Sequence, residues 1–86
     1  MVRGEPPTWW DWDLEVSPHL LKRMVDRRFN ESDLREMLED AGACEPNAIP
    51  GRWKIATHWR GESWEIVVEP DEFLRRVVVV TAYAVE

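Results

Sequence analysis

From Arg52 onward the chain consists of period-two segments joined by little more than turns, and this places an antiparallel sheet at the centre of any fold it adopts. Arg52, Lys54, Ala56 and His58 alternate with Trp53, Ile55, Thr57 and Trp59, so a basic face lies back to back with an apolar one. Arg60-Gly61-Glu62-Ser63 reads as a hairpin turn, Trp64 to Glu69 as the returning strand, and Pro70-Asp71-Glu72 as a second turn. Arg75 to Val85 is a β-branched run too continuous for an edge and is expected to be the central strand.

The N-terminal half supplies what covers that sheet. Trp10, Trp12, Leu14 and Val16 alternate with Asp11, Asp13 and Glu15, the pattern of a half-buried edge strand. Ser17-Pro18 then offers a capping hydroxyl and a proline at the first helical position. The spacing predicts a helix to about Arg28, burying Leu21, Met24 and Val25, with Phe29 plugging the turn after it. Asn30, with Asp33 three residues on, caps a second helix that buries Leu34, Met37, Leu38 and Ala41 and ends at Gly42. Ala43 to Pro50 is expected to be a loop.

The fold class is therefore α+β, with two N-terminal helices packed on a three- to four-stranded antiparallel sheet in the order β-α-α-β-β-β. Eighty-six residues, 44% of them apolar, are enough for one core, so residues 9–86 are expected to form a single domain behind a flexible arm, residues 1–8. The alternative is the same fold without its first strand, Trp9 to Trp12 lying over the core as an arm.

A lone Cys44 forms no intramolecular disulfide, no apolar run approaches a membrane span, and no signal-type stretch opens the sequence, so a cytoplasmic protein with no membrane partner is expected. Eleven Lys and Arg against seventeen Asp and Glu give a net charge of −6, which runs against a nucleic-acid partner. Its distribution is uneven. Lys22, Arg23, Arg27 and Arg28 face only Asp26, Arg52 to Arg60 contains no acid, and from Glu31 to Glu45 six acids face only Arg35.

Few residues can carry chemistry. His19 sits at the second position of the first helix, where the positive helix end disfavours imidazolium and favours a neutral base. Arg52, Lys54 and His58 share a strand face within about 14 Å and could clamp a phosphate. Thr81 and Tyr83 share a face of the last strand, with Val77 and Val79 ahead of them on it. RNA cleavage without a metal needs a base for the 2′-hydroxyl, an acid for the leaving oxygen and fixed positive charge, and these residues could supply them. No zinc spacing, phosphate loop or G-x-S-x-G motif is present, so neither metal nor cofactor is expected. Glu36, Glu39 and Asp40 read as a solvated helix face. Trp53, Trp59 and Trp64 match the apolar strand faces, whereas Trp9, Trp10 and Trp12 could cover the sheet edge, stack on bases, or bind a partner, and would permit a homodimer.

At S-P-H-L-L-K-R-M-V-D-R-R-F-N-E-S-D-L-R-E-M-L, then G-R-W-K-I and V-V-V-V-T-A-Y, the chain resembles a small bacterial family of domains of unknown function. That family is similar to the BrnT and RelE toxins and to the wider barnase, EndoU, colicin and RelE-like ribonucleases. The resemblance, over Val16 to Tyr83, implies a RelE-like α+β fold, metal-independent endoribonuclease activity of the toxin-antitoxin type, RNA as substrate, and a cognate antitoxin or immunity protein. It would make His19 the general base or acid, Arg52 the phosphate binder, and Thr81 and Tyr83 the residues completing the catalytic site. Arg23 belongs to the family's Arg-Met pattern and would bind substrate. Lys54, His58 and Arg60 join the substrate-binding set on charge and strand parity. The competing expectation is a non-catalytic binding or regulatory module, holding a basic protein with the N-terminal tryptophans and the acidic second helix.

Overall fold

The computed structural model describes residues 7–85, so all but the last two residues of the expected arm, 1–8, lie outside the described residues. A 3-10 turn, Thr8–Asp11, leads into β1 (Asp13–Val16), α1 (Pro18–Arg27), α2 (Glu31–Glu39), β2 (Ala43–Pro46), β3 (Trp53–Trp59), β4 (Glu62–Asp71) and β5 (Arg76–Ala84). The α+β class and the helix pair are as expected, but the sheet is five-stranded and mixed, in the order β1-β5-β4-β3-β2. β1 runs parallel to β5 and every other neighbour is antiparallel.

Both differences arise at the sheet edges. β2 occupies part of the expected loop; it is four residues long and only Cys44 among them is even half-buried, so it leaves no alternating signature in the sequence. β1 holds its direction because the Ser17 backbone N–H donates to the Val79 carbonyl and the Ser17 hydroxyl to that of Val80. With β1 on its flank, β5 is interior without being central, and β4 takes the middle. Pro70 is tolerated in β4 because β3 pairs no further along it than Val68, leaving that edge with no ladder donor to supply.

Helix capping follows the sequence closely. The Ser17 side chain accepts from the Leu20 N–H, and Asn30 with Asp33 forms a reciprocal capping box. The buried stripe of α1 does not follow it. Leu20 and Met24 point inward, whereas Leu21 and Val25 are 52% and 78% exposed. The tie of Ser17 to β5 sets the rotation of the helix, and it favours the Leu20 face over the adjacent one. On α2, Leu34 and Met37 are buried as expected, and Ala41 is buried just beyond its end.

The core lies between the helices and one sheet face, which carries Ile55 and Thr57 of β3, Trp64, Ile66 and Val68 of β4, and Val77, Val79 and Ala82 of β5. Phe29 meets Trp59 and Trp64 edge-on at 5.8 and 5.7 Å between ring centroids, and the two tryptophans lie 5.6 Å apart. Trp9 is buried in the 3-10 turn, against Trp53 at 5.9 Å. The N-terminal tryptophans thus combine the two expectations, a covering turn followed by a shortened strand.

A bulge decides the faces of β5. Val67 pairs with Thr81 while Val68 pairs with Val79, so Val80 is an extra residue. Val77 and Val79 accordingly face the helices, and Thr81 and Tyr83 face the opposite way. The expectation that all four share one face fails, because the extra residue shifts strand parity by one.

Candidate functional site

The face of the sheet away from the helices carries a polar patch that spans two adjacent rows across four strands. Register places Glu45 beside Lys54, Ala56 beside Glu65, and Glu65 beside Tyr83. The Lys54 ammonium lies 3.2 Å from a Glu45 carboxylate oxygen and 3.3 Å from one of Glu65. Its hydrogen bonds to Glu45 and Glu65 push its pKa above the ordinary lysine value. Partial burial, and then the Glu65 carboxylate, push the Tyr83 phenol up as well. Thr81 stands in the Lys54 row, paired with Val67, which is itself opposite Lys54, and Glu65 and Tyr83 stand in the adjacent one.

The residues expected to form a nuclease site are distributed rather than gathered. Arg52 leads into β3, with Nε 3.7 Å from a Glu69 carboxylate oxygen; that nitrogen is buried and lacks a partner at hydrogen-bond distance. Glu65 and Tyr83 lie in the row of Ala56, four residues further along β3, about 13 Å from Arg52 at the usual strand rise. His19 is exposed at the start of α1, beside the edge where Ser17 meets β5. Arg52 leads into β3, two strands across the sheet from β5. Arg23 is half-buried on α1. His58 and Arg60 stand at the β3–β4 hairpin in an open depression whose other walls include Glu36, Glu39 and Asp40, with the Arg60 guanidinium 4.1 Å above the Trp59 ring. His19, Arg52 and Tyr83 therefore do not surround one phosphate-sized space.

The cations of the sheet face are also already engaged. Arg76 lies 3.5 Å from Glu15, which completes the pattern set by Arg52 with Glu69 and Lys54 with its two carboxylates. A phosphate approaching this face would have to displace carboxylates. Period-two reading identified the basic half of the patch and missed Glu45 and Glu65, because pairing acids with bases needs the register between strands, which parity within one strand does not supply. Among the described residues no group of three or more His, Cys, Asp or Glu is placed to hold a metal ion. Burial first, and then Glu45, push the Cys44 thiol up, which suppresses its reactivity as a nucleophile. No helix among the described residues is long and apolar enough to cross a membrane.

A second site lies on the helix side. Between the 3-10 turn and α2 is a cavity of about 270 Å³, walled by Trp9, Trp10, Trp12, Leu14 and Leu38 with core side chains at its floor. Asp11, Arg35 and Glu39 stand around it. The Arg35 guanidinium is held 3.2 Å from Glu31, one turn back on α2. The density of tryptophan near the N-terminus signalled this pocket, but Leu14, Arg35 and Leu38 come to it only through the packing of α2 against β1 and the turn.

Comparison with protein-family models, curated proteins and solved structures finds no match to this chain.

Proposed function

We propose that this chain is a non-catalytic binding module that holds a basic segment of a partner protein at the tryptophan-walled pocket and the acidic outer side of α2. The pocket is the observation that carries this reading. Its aromatic walls offer electron-rich faces to a cation, a contact contributing about 0.5–2 kcal/mol according to how far it is desolvated. Asp11 and Glu39 add negative charge at the pocket, and the pairing of Arg35 with Glu31 offsets the one cation there. Glu36 and Asp40 extend the acidic surface at the C-terminal end of exposed α2, and the net charge of −6 favours encounter with a basic chain.

The test is tryptophan emission during titration with a short Lys/Arg peptide and with the same peptide neutralised by lysine acetylation and citrulline. Saturable change with the basic peptide, weakened at least tenfold by Trp12→Ala, is expected. Equal response to the neutral peptide, or none to either, overturns the reading.

A second reading rests on Glu65, which pairs across the strands with Tyr83 and meets Lys54 of the adjacent row, so that a carboxylate, an ammonium and a phenol lie together. In a metal-independent endoribonuclease of the toxin type, Glu65 would take the 2′-hydroxyl proton as the 2′-oxygen attacks phosphorus, Lys54 would stabilise the phosphorane, and the Tyr83 phenol would protonate the 5′-oxygen as its bond to phosphorus breaks. Growth arrest on induction of the wild type, relieved by Glu65→Gln at equal soluble accumulation, would put this reading first. Unimpaired growth with the wild type removes it.

A further inference from the structure

The outward face of α1 is left uncovered, and its composition is unusual for a solvated helix surface. Leu21 and Val25, four residues apart and 52% and 78% exposed, form an apolar ridge along it. At one hundred degrees per residue, Lys22 falls beside that ridge, and Arg28, which caps the helix in the left-handed conformation, stands at its C-terminal end. Arg23 and Arg27 add charge along the same helix, against Asp26 alone. None of these four cations has an ion-pair partner among the described residues, whereas Arg35, Arg52, Lys54 and Arg76 are all paired. Among the described residues, cations without an ion pair are thus most numerous on the helix that exposes this apolar pair, with Lys22 and Arg28 nearest to it and Arg75 a further one in the β4–β5 turn.

We propose that α1 is a docking surface for an acidic amphipathic helix of a separate partner protein. Apolar residues of such a helix, spaced three or four apart, would cover Leu21 and Val25, and flanking glutamates would meet Lys22 and Arg28, the arrangement that pairs helices side by side. A second copy of this chain does not fit the surface. Two α1 helices repel through their like charges, and α2, which has the right sign, exposes Glu31, Ser32, Arg35, Glu36 and Glu39 with no apolar residue among them to cover the ridge. A nucleic acid would satisfy the cations and leave the ridge wet. The ten residues of α1 present too short an apolar strip, on a helix already fixed by its buried side, to enter a lipid surface. The surface is distinct from the tryptophan pocket, so its fate is separable from that of the basic-segment reading.

The experiment uses the full chain, isotopically labelled, and a designed helical peptide with leucines at three- and four-residue spacing and glutamates beside them. Saturable amide shifts confined to α1, lost at least tenfold in affinity on Val25→Asp and on Lys22→Glu, are expected. Both positions are exposed, and thermal melts of the variants confirm that they fold. Parallel arms use a glutamine-substituted peptide, a DNA duplex, and vesicles containing a third phosphatidylserine. The proposal is overturned if no binding is seen at about millimolar peptide, if Val25→Asp leaves the affinity unchanged, if the glutamine peptide binds equally, or if duplex or vesicles bind more tightly through the same residues.

Discussion

Thr57 is the one buried polar side chain of the described core, and it answers a specific need. Where α2 ends, the Ala41 N–H turns to the Leu38 carbonyl and leaves the Met37 carbonyl without its helical partner; the Thr57 hydroxyl donates to it across the layer. Thr57→Val, nearly the same shape, is expected to cost about 1–3 kcal/mol by stranding that oxygen, read as a lower urea midpoint with an unchanged slope. Lys54 and Tyr83 make a second residue-scale prediction. Both hold their protons more tightly folded than unfolded, Lys54 through Glu45 and Glu65, Tyr83 through burial and Glu65. Their contribution is therefore complete below the unfolded values near pH 10 and is lost as pH rises through the higher folded ones. Urea midpoints measured from about pH 9 upward should fall with rising pH, and Glu65→Gln, which removes a cause common to both, should flatten that fall. The basic half of this polar patch was legible from strand parity. Its acidic half was not, because Glu45 and Glu65 belong to other strands and only register brings them to Lys54.

At the scale of elements, turns and caps were the most legible features and faces the least. The β3–β4 hairpin closes on Arg60 and Gly61 alone, both at positive φ, 52° and 78°, the backbone that matches the twist of a two-residue hairpin. A Cβ built at Gly61 meets nothing within 4 Å, so the cost of Gly61→Ala is conformational, about 1–2 kcal/mol, visible as a drop in thermal midpoint. Ser17 serves two elements at once, accepting from the Leu20 N–H and donating to the Val80 carbonyl at the bulge. Ser17→Ala is expected to cost about 1–2 kcal/mol, with faster amide exchange in the first turn of α1 as the mark of the lost cap. The Ser-Pro pair announced the cap, but the partner at Val80, sixty-three residues away, was invisible locally. That bond rotates α1 so that Leu20 is buried and Leu21 is not, and both choices satisfy helical spacing.

Across the whole molecule, one aromatic cluster ties the helix layer to the hairpin. Phe29, in the link between α1 and α2, is wedged edge-on against Trp59 and Trp64. Phe29→Ala is expected to cost about 3–5 kcal/mol, a large part of the stability a small domain has to lose, while Phe29→Leu keeps most of the buried area and should remain folded at a lower thermal midpoint. Circular dichroism melts of the two variants check this, and near-equal melts would show that the cluster fills space without holding the layers together. The charge pattern is also a whole-molecule property. The acids of the open sheet face take up Arg52, Lys54 and Arg76, while four cations of α1 and its cap, on the helix that exposes Leu21 and Val25, have no ion pair among the described residues.

By itself the sequence determined the α+β class, the capped helix pair, the tryptophan side of the sheet and the basic face of β3, because each depends on periodicity or on a hydrogen bond within a few residues. Tertiary structure alone decided the five-stranded mixed order, the short edge strands, the rotation of α1 and the parity of β5. These depend on contacts between distant segments: the Ser17 tie to Val79 and Val80, the extra residue at Val80, and the register that sets the Glu45–Lys54 row next to the Glu65–Tyr83 row. The candidate sites lie where those contacts fall, which is why His19, Arg52 and Tyr83 could each be picked out in the sequence while their separation could not.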